Sequence, residues 1–177
     1  VVLNDEIHAA RDVVKTSTYR VQTFRSFDFG ALGHVDGDGP HFYRAPLKAH
    51  LPETPFAGSE LRDLPRVDII YSYAGADGDL VRAAVAAGAR GLVSAGFAPG
   101  SPSPDQREAF IEAARSGVAV VQCTRAASGR VAPRRHLRES GIVAGEDFSP
   151  QKARILLMLM LTATGDIAEI QKAFQTY

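Results

Sequence analysis

Five histidines, one cysteine and a strand-end serine are the residues of this chain whose types could do chemistry on their own. The histidines (His8, His34, His41, His50 and His136) have neither the i,i+4 nor the cysteine-paired spacing of a zinc site, so no metal is expected. Ser94, in Gly91-Leu92-Val93-Ser94-Ala95-Gly96, misses the Gly-x-Ser-x-Gly nucleophile elbow by one position and has no obvious histidine partner. A serine that caps backbone groups at a strand end is the favoured reading. Cys123 has no neighbouring histidine and no Cys-x-x-Cys, which favours a small buried filler over a reactive thiol. No Gly-x-Gly-x-x-Gly follows a strand and no phosphate-binding Gly-Lys-Ser/Thr occurs, so a Rossmann-like nucleotide binder has no positive support and no cofactor is expected. Three polar, glycine-rich loops remain: Ala74 to Gly78, Ala95 to Ser101 and Thr124 to Arg130. Open α/β sheets bind ligands at such loops when they follow parallel strands, although ordinary turn chemistry calls for the same residues.

The elements that must position these loops are legible from rhythm. After residue 65, short apolar strands alternate with helical segments, the pattern of a parallel sheet with crossover helices. Strands are expected at Val67 to Tyr73, Gly91 to Ser94, Val118 to Gln122 and Gly141 to Ala144. Helices are expected from Asp79 to Ala87, stopped by Gly88, and from Pro104 to about Ser116, with Ser103 as N-cap and Gly117 as the stop. Ser149-Pro150 opens a helix carrying Ile155 to Leu161, which is apolar nearly all round and must be covered on both sides by a second layer or by another subunit. Asp166 and Glu169 begin a last amphipathic helix with Ile167, Ile170 and Phe174 on one face. Upstream, residues 29 to 44 read as a β-hairpin around Asp36-Gly37-Asp38-Gly39-Pro40. Val1 to Asp5 read as the end of a buried strand whose partners lie upstream, with a processed terminus on an edge strand as the other reading. Proline and turn signals from Pro46 to Pro65 mark a linker.

Composition bounds the partners. With 177 residues, 45% of them hydrophobic and 23% charged, the chain can bury a real core in one or two domains. Twenty Lys plus Arg balance twenty Asp plus Glu, so no global field attracts nucleic acid or an anionic membrane. The apolar run from Ile155 to Leu161 is too short to span a bilayer. A single cysteine excludes an intramolecular disulfide.

A series of strings in one order then becomes specific. It begins with Asn4-Asp5-Glu6-Ile7-His8-Ala9-Ala10-Arg11-Asp12-Val13-Val14-Lys15-Thr16-Ser17-Thr18 and continues through Phe24-Arg25-Ser26, Phe29 to Gly33, Leu64 to Val67 and Tyr71 to Ala74. Gly91 to Gly96, Ser128-Gly129 and Pro150-Gln151-Lys152-Ala153-Arg154 complete it. Across its whole length the chain resembles the bacterial type II L-asparaginases and glutaminase-asparaginases. The resemblance implies an α/β fold in which residues 1–45 close a larger N-terminal domain, residues 46–64 link and residues 65–177 form a smaller C-terminal α/β domain.

The same resemblance implies cofactor-free hydrolysis of L-asparagine to L-aspartate and ammonia, through a threonine nucleophile that this segment lacks. The family's second threonine and its aspartate are also absent, while Lys15 matches the lysine that completes a triad with them. An ammonium beside a hydroxyl and a carboxylate can be driven towards its neutral form by burial and then help deprotonate a threonine or water. Ser101 stands where a substrate-contacting asparagine of the family is expected, in the loop Ala98-Pro99-Gly100-Ser101. It keeps a hydrogen-bonding group but loses the carboxamide's reach. The acidic residue that the family places after Ser-Gly is replaced by the basic stretch Arg130 to His136, with Glu139 the nearest carboxylate in sequence. The implied partners are a small amide substrate, the absent N-terminal portion and further copies of the chain, as a tetramer of intimate dimers. The implied compartment is the periplasm or the cytoplasm. The alternatives are a non-catalytic binding or assembly module, or a degenerate relative that acts on another amide such as glutamine.

Overall fold

The computed structural model describes residues 1–50, 54–57 and 61–177, so part of the expected linker lies outside the described residues. The chain divides into two compact units, Val1–Thr54 and Pro55–Tyr177.

The first unit is built from short antiparallel strands. β1 (Val2–Leu3), β2 (Glu6–Ile7), β5 (Gly33–Asp36) and β6 (Gly39–Phe42) form one four-stranded sheet in that order, while β3 (Val14–Lys15) pairs with β4 (Phe24–Arg25). The expected hairpin around residues 36–40 is present: Asp36 pairs with Gly39 across the two-residue link Gly37-Asp38, and His34 stands opposite His41. The opening residues differ from expectation. The strand stops at Leu3, short of Asp5, because Asn4 and Asp5, at φ +48° and +62°, turn the chain back onto β2. Two successive left-handed residues are what a two-residue hairpin link needs, and Asn and Asp tolerate that region best after glycine. Buried Thr23 organises the β3–β4 link, its hydroxyl donating to Ser17 O (2.6 Å) and accepting from Ser17 N (2.8 Å).

The second unit is a parallel sheet covered on both faces. β7 (Val67–Tyr71), β8 (Gly91–Gly96), β9 (Ala119–Thr124) and β10 (Ile142–Ala144) lie side by side in chain order. The crossovers contain α1 (Asp79–Ala86), α2 (Pro104–Arg115) and α3 (Arg135–Glu139). Successive crossovers of one hand stack their helices on one face, where Val81, Phe110 and Leu137 pack with Leu92, Val120 and Ile142. α4 (Pro150–Ala163) and α5 (Ile167–Thr176) follow the last strand and cover the other face, where Leu157, Ile170 and Phe174 pack with Val93, Val121 and Val143. Adjacent residues of each strand thus serve opposite layers. This is why β8 is buried at every position and reads as a continuous apolar run rather than an alternation.

The expected helix starts are present. Ser103 and Ser149 accept hydrogen bonds from Gln106 N and Lys152 N, each followed by proline, and Asp166 accepts from Glu169 N. The edge strand β10 is closed by Gln171 of α5, whose side chain accepts from Ala144 N (2.8 Å) and donates to Ala144 O (3.3 Å). Within this chain α4 is covered on one face and a flank: Leu156, Leu157 and Met160 are buried against the sheet and α5, while Ile155 is 50% exposed. No described helix is long and apolar enough to cross a membrane.

Candidate functional site

The three glycine-rich loops all leave the carboxyl ends of parallel strands, and Arg125 joins them into one rim. Its backbone N–H donates to Gly96 O (2.8 Å), its guanidinium donates to Ser72 O (2.7 Å), and the same group lies 4.4 Å over the Phe97 ring. One residue therefore fixes the exits of β7, β8 and β9, through a backbone hydrogen bond, one charge-assisted hydrogen bond and a cation–π contact. Sequence reasoning passed over Arg125. Its only signal is a basic residue directly after a strand, with an aromatic after the neighbouring one.

Beneath the rim lies a second polar cluster anchored by Gln106 of α2, which is fully buried. Its carboxamide accepts from Ser72 Oγ (2.7 Å) and donates to Tyr71 O (3.2 Å). Ser103, the N-cap of α2, donates its hydroxyl to Ala76 O at 2.7 Å, so the loop after β7 is held at both ends from α2.

The loop after β8 carries Ser101. It folds back tightly, with Phe97 N–H donating to Ser101 O at 2.8 Å, while the Ser101 side chain is exposed. A Cβ at Gly96 would lie 2.1 Å from Gly100 O, so the close approach of these two segments requires glycine at position 96.

The loop after β9 opens the basic stretch, and the carboxylate that meets Arg130 at its start is Glu146 rather than Glu139. Glu139 is exposed and pairs with Arg135 one turn away on α3 (2.9 Å). Glu146 is only 4% exposed, accepts a hydrogen bond from Arg130 Nε, and accepts from Val131 N–H through its backbone carbonyl at 2.8 Å. That hydrogen bond and the adjacent negative charge raise the already high pKa of the Arg130 guanidinium. The second oxygen of Glu146 has no hydrogen-bond partner among the described residues. The pairing could not be found by counting along the sequence, because it arises from the short bridge between Val131 and Glu146.

Ser94 does not cap backbone groups. It faces the α1–α2 layer, 2% exposed, and its hydroxyl has no hydrogen-bond partner among the described residues. Cys123 is fully buried in the opposite layer, and burial pushes its thiol far above the ordinary cysteine range. It is a core residue.

Lys15 belongs to the first unit, where it pairs with Phe24 across β3 and β4 and is exposed. No side-chain hydrogen bond or ion pair engages its ammonium among the described residues. Thr16 beside it is fixed through its hydroxyl to Thr23 O at 2.8 Å. The backbone that presents Lys15 is therefore held while its charge is left available.

An antiparallel module bearing an exposed lysine, followed by a helix-covered parallel sheet with a pinned polar rim, defines a modular α/β protein with polar loops at its strand ends. Its comparisons with known proteins agree at every level. Residues 66–174 match the Glutaminase/Asparaginase C-terminal domain, and residues 1–48 match the Asparaginase N-terminal domain. L-asparaginase 2 of Bacillus subtilis (strain 168) is 42% identical over 177 residues, which are 100% of this chain and 47% of that protein. L-asparaginase 2 of Escherichia coli (strain K12) is 39% identical over 179 residues, covering 100% of this chain and 51% of that protein. The crystal structure of a probable cytoplasmic L-asparaginase from Campylobacter jejuni superposes with a TM-score of 0.95 at 41% identity, over 99% of this chain and 57% of that one. The chain belongs to the glutaminase/asparaginase family, and it spans about half the length of the curated relatives it matches.

Proposed function

We propose that the chain is the carboxyl-terminal portion of an amidohydrolase that uses water to convert L-asparagine to L-aspartate and ammonia. On this reading residues 1–45 complete the larger domain, residues 46–64 link and residues 65–177 form the smaller domain. The observation that carries the proposal is that the N-terminal and C-terminal family domains match in that order, over residues 1–48 and 66–174, with Lys15 falling inside the first match. Lys15 is proposed to join a threonine and an aspartate supplied by the rest of the protein. Its role there would be to help move the proton of an attacking hydroxyl. Ser101, exposed on the rim, is proposed to contact substrate through its hydroxyl, in an assembly of four copies built from intimate dimers. A periplasmic or cytoplasmic location suits such an enzyme.

The test supplies the missing N-terminal portion and measures ammonia release from asparagine and from glutamine. Activity with asparagine is expected, and Lys15→Met in that protein should lower kcat by about 10²- to 10⁴-fold, the range of general acid–base catalysis. Release of ammonia only from glutamine would reassign the substrate. Release from neither amide would overturn the proposal in favour of a binding or assembly module.

A further inference from the structure

Within the first unit, Glu6, His8, Arg25 and Ser26 line a cavity of about 210 Å³, with Phe27 and Ala31 as its apolar wall. Backbone hydrogen bonds hold the surrounding chain in place: Leu32 N–H donates to Ile7 O (2.6 Å) and Gly30 N–H to Ser26 O (2.8 Å). His8 is only 4% exposed, and its Nδ1 lies 3.0 Å from Ser26 Oγ. Its Nε2, equally buried, has no hydrogen-bond partner among the described residues. Glu6 Oε2 stands 3.4 Å from that nitrogen without forming one. Arg25, on the same cavity, pairs with no carboxylate among the described residues.

A buried polar atom without a partner is costly, so the idle edge of His8 calls for a ligand group. Hydrogen-bond roles define what that group is. With the proton on Nδ1, His8 donates to Ser26 Oγ, which frees the serine hydroxyl to donate elsewhere and leaves Nε2 as an acceptor. His8 Nε2 and Glu6 Oε2 are then two acceptors face to face with no proton between them, a place for an ammonium. The Glu6 side chain, 45% exposed, has the freedom to turn and admit it. The Arg25 guanidinium and the Ser26 hydroxyl, both donors, suit a carboxylate. An acid and a base that share a cavity without meeting fit a guest that carries both charges: Glu6 disfavours a simple anion and Arg25 a bare metal ion. The cavity is smaller than the about 300–1,000 Å³ of sites for drug-sized ligands, which limits that guest to a small molecule.

We propose that this cavity binds a free α-amino acid as its zwitterion, the ammonium held by Glu6 and His8, the carboxylate by Arg25 and Ser26, and an aliphatic side chain against Phe27 and Ala31. Neither Lys15 nor Ser101 lines it, so the inference does not rest on the amidohydrolase reading.

L-valine is the probe, because it carries both charges and an aliphatic side chain but no amide to hydrolyse. It is titrated into the 177-residue chain and followed by amide NMR shifts. One saturable site is expected, with shifts centred on residues 6–8 and 25–31. 2-Hydroxyisovalerate lacks the ammonium and isobutylamine lacks the carboxylate, and each should bind at least about tenfold more weakly. Glu6→Gln and Arg25→Met should each weaken valine binding by a similar factor, with circular dichroism spectra matching the parent to show that both fold. Glu6→Gln should not weaken binding of the hydroxy acid, which has no ammonium to lose, whereas a merely structural role for Glu6 would weaken both ligands alike. Absence of saturable valine binding, equal affinity for the three ligands, or shifts centred elsewhere would each overturn the proposal. So would loss of the valine site once the N-terminal portion of the protein is supplied, since the cavity would then be a seat for that portion.

Discussion

Replacing Gln106 by leucine removes the buried carboxamide that ties α2 to the end of β7 while nearly preserving volume. Ser72 Oγ, fully buried and donating at 2.7 Å, would lose its acceptor, and Tyr71 O would lose a donor at 3.2 Å. A buried polar group left without its partner costs about 1–3 kcal/mol. The Ser72 hydroxyl carries that penalty in full and the partly buried Tyr71 carbonyl a smaller one, so about 2–3 kcal/mol is expected. In a unit of this size that lowers Tm by roughly 7–13 °C. Urea unfolding of the single variants and of Ser72→Ala with Gln106→Leu forms a double-mutant cycle. Removing both partners should recover at least about 1 kcal/mol relative to the sum of the single losses, because no hydroxyl is then orphaned. A Gln106→Leu cost below about 0.5 kcal/mol, the level of an ordinary surface change, would refute this account of the rim. Strictly additive losses would also refute it.

Two further perturbations probe the layer on the other side of the sheet. Leu157 of α4 is fully buried, and Leu157→Ala should cost about 2–5 kcal/mol by urea unfolding, from lost transfer energy and the cavity left behind. Burial raises the folded-state pKa of Cys123, so the thiol should react with Ellman's reagent only on unfolding. The unfolded thiol ionises first, so this residue's stabilising contribution is complete below about pH 8.5 and falls above it, by at most about 1.4 kcal/mol per pH unit. Cys123→Ala should remove that part of the slope, and native-state labelling as fast as that of the unfolded chain would contradict the burial.

The α/β rhythm of residues 65–177 was legible because its signals are local. Ser103-Pro104 and Ser149-Pro150 announce their helices within two residues, and the runs at 91–96 and 119–124 are apolar at nearly every position because both faces of the sheet are covered. The hairpin at 36–40 was legible for the same reason, through its glycines. The turn at Asn4-Asp5 was misread as part of a strand, since neither residue demands a left-handed conformation although both tolerate it. Helix α4 looked apolar all round because sequence shows hydrophobicity but not which flank a neighbour covers. Family membership was legible as well, in strings such as Asn4 to Thr18 and Pro150 to Arg154, since several strings in one order are far more specific than any single residue.

What the sequence alone determined is therefore the class of fold, the helix caps and the family. The tertiary structure decided which side chains meet. Arg125 reaches Ser72 across 53 residues, Gln106 reaches Ser72 across 34, and Glu146 rather than Glu139 meets Arg130. The physical reason is common to all three: caps and turns are satisfied within one helical turn or hairpin link, whereas these contacts depend on strand register and layer packing, which exist only once distant segments have paired.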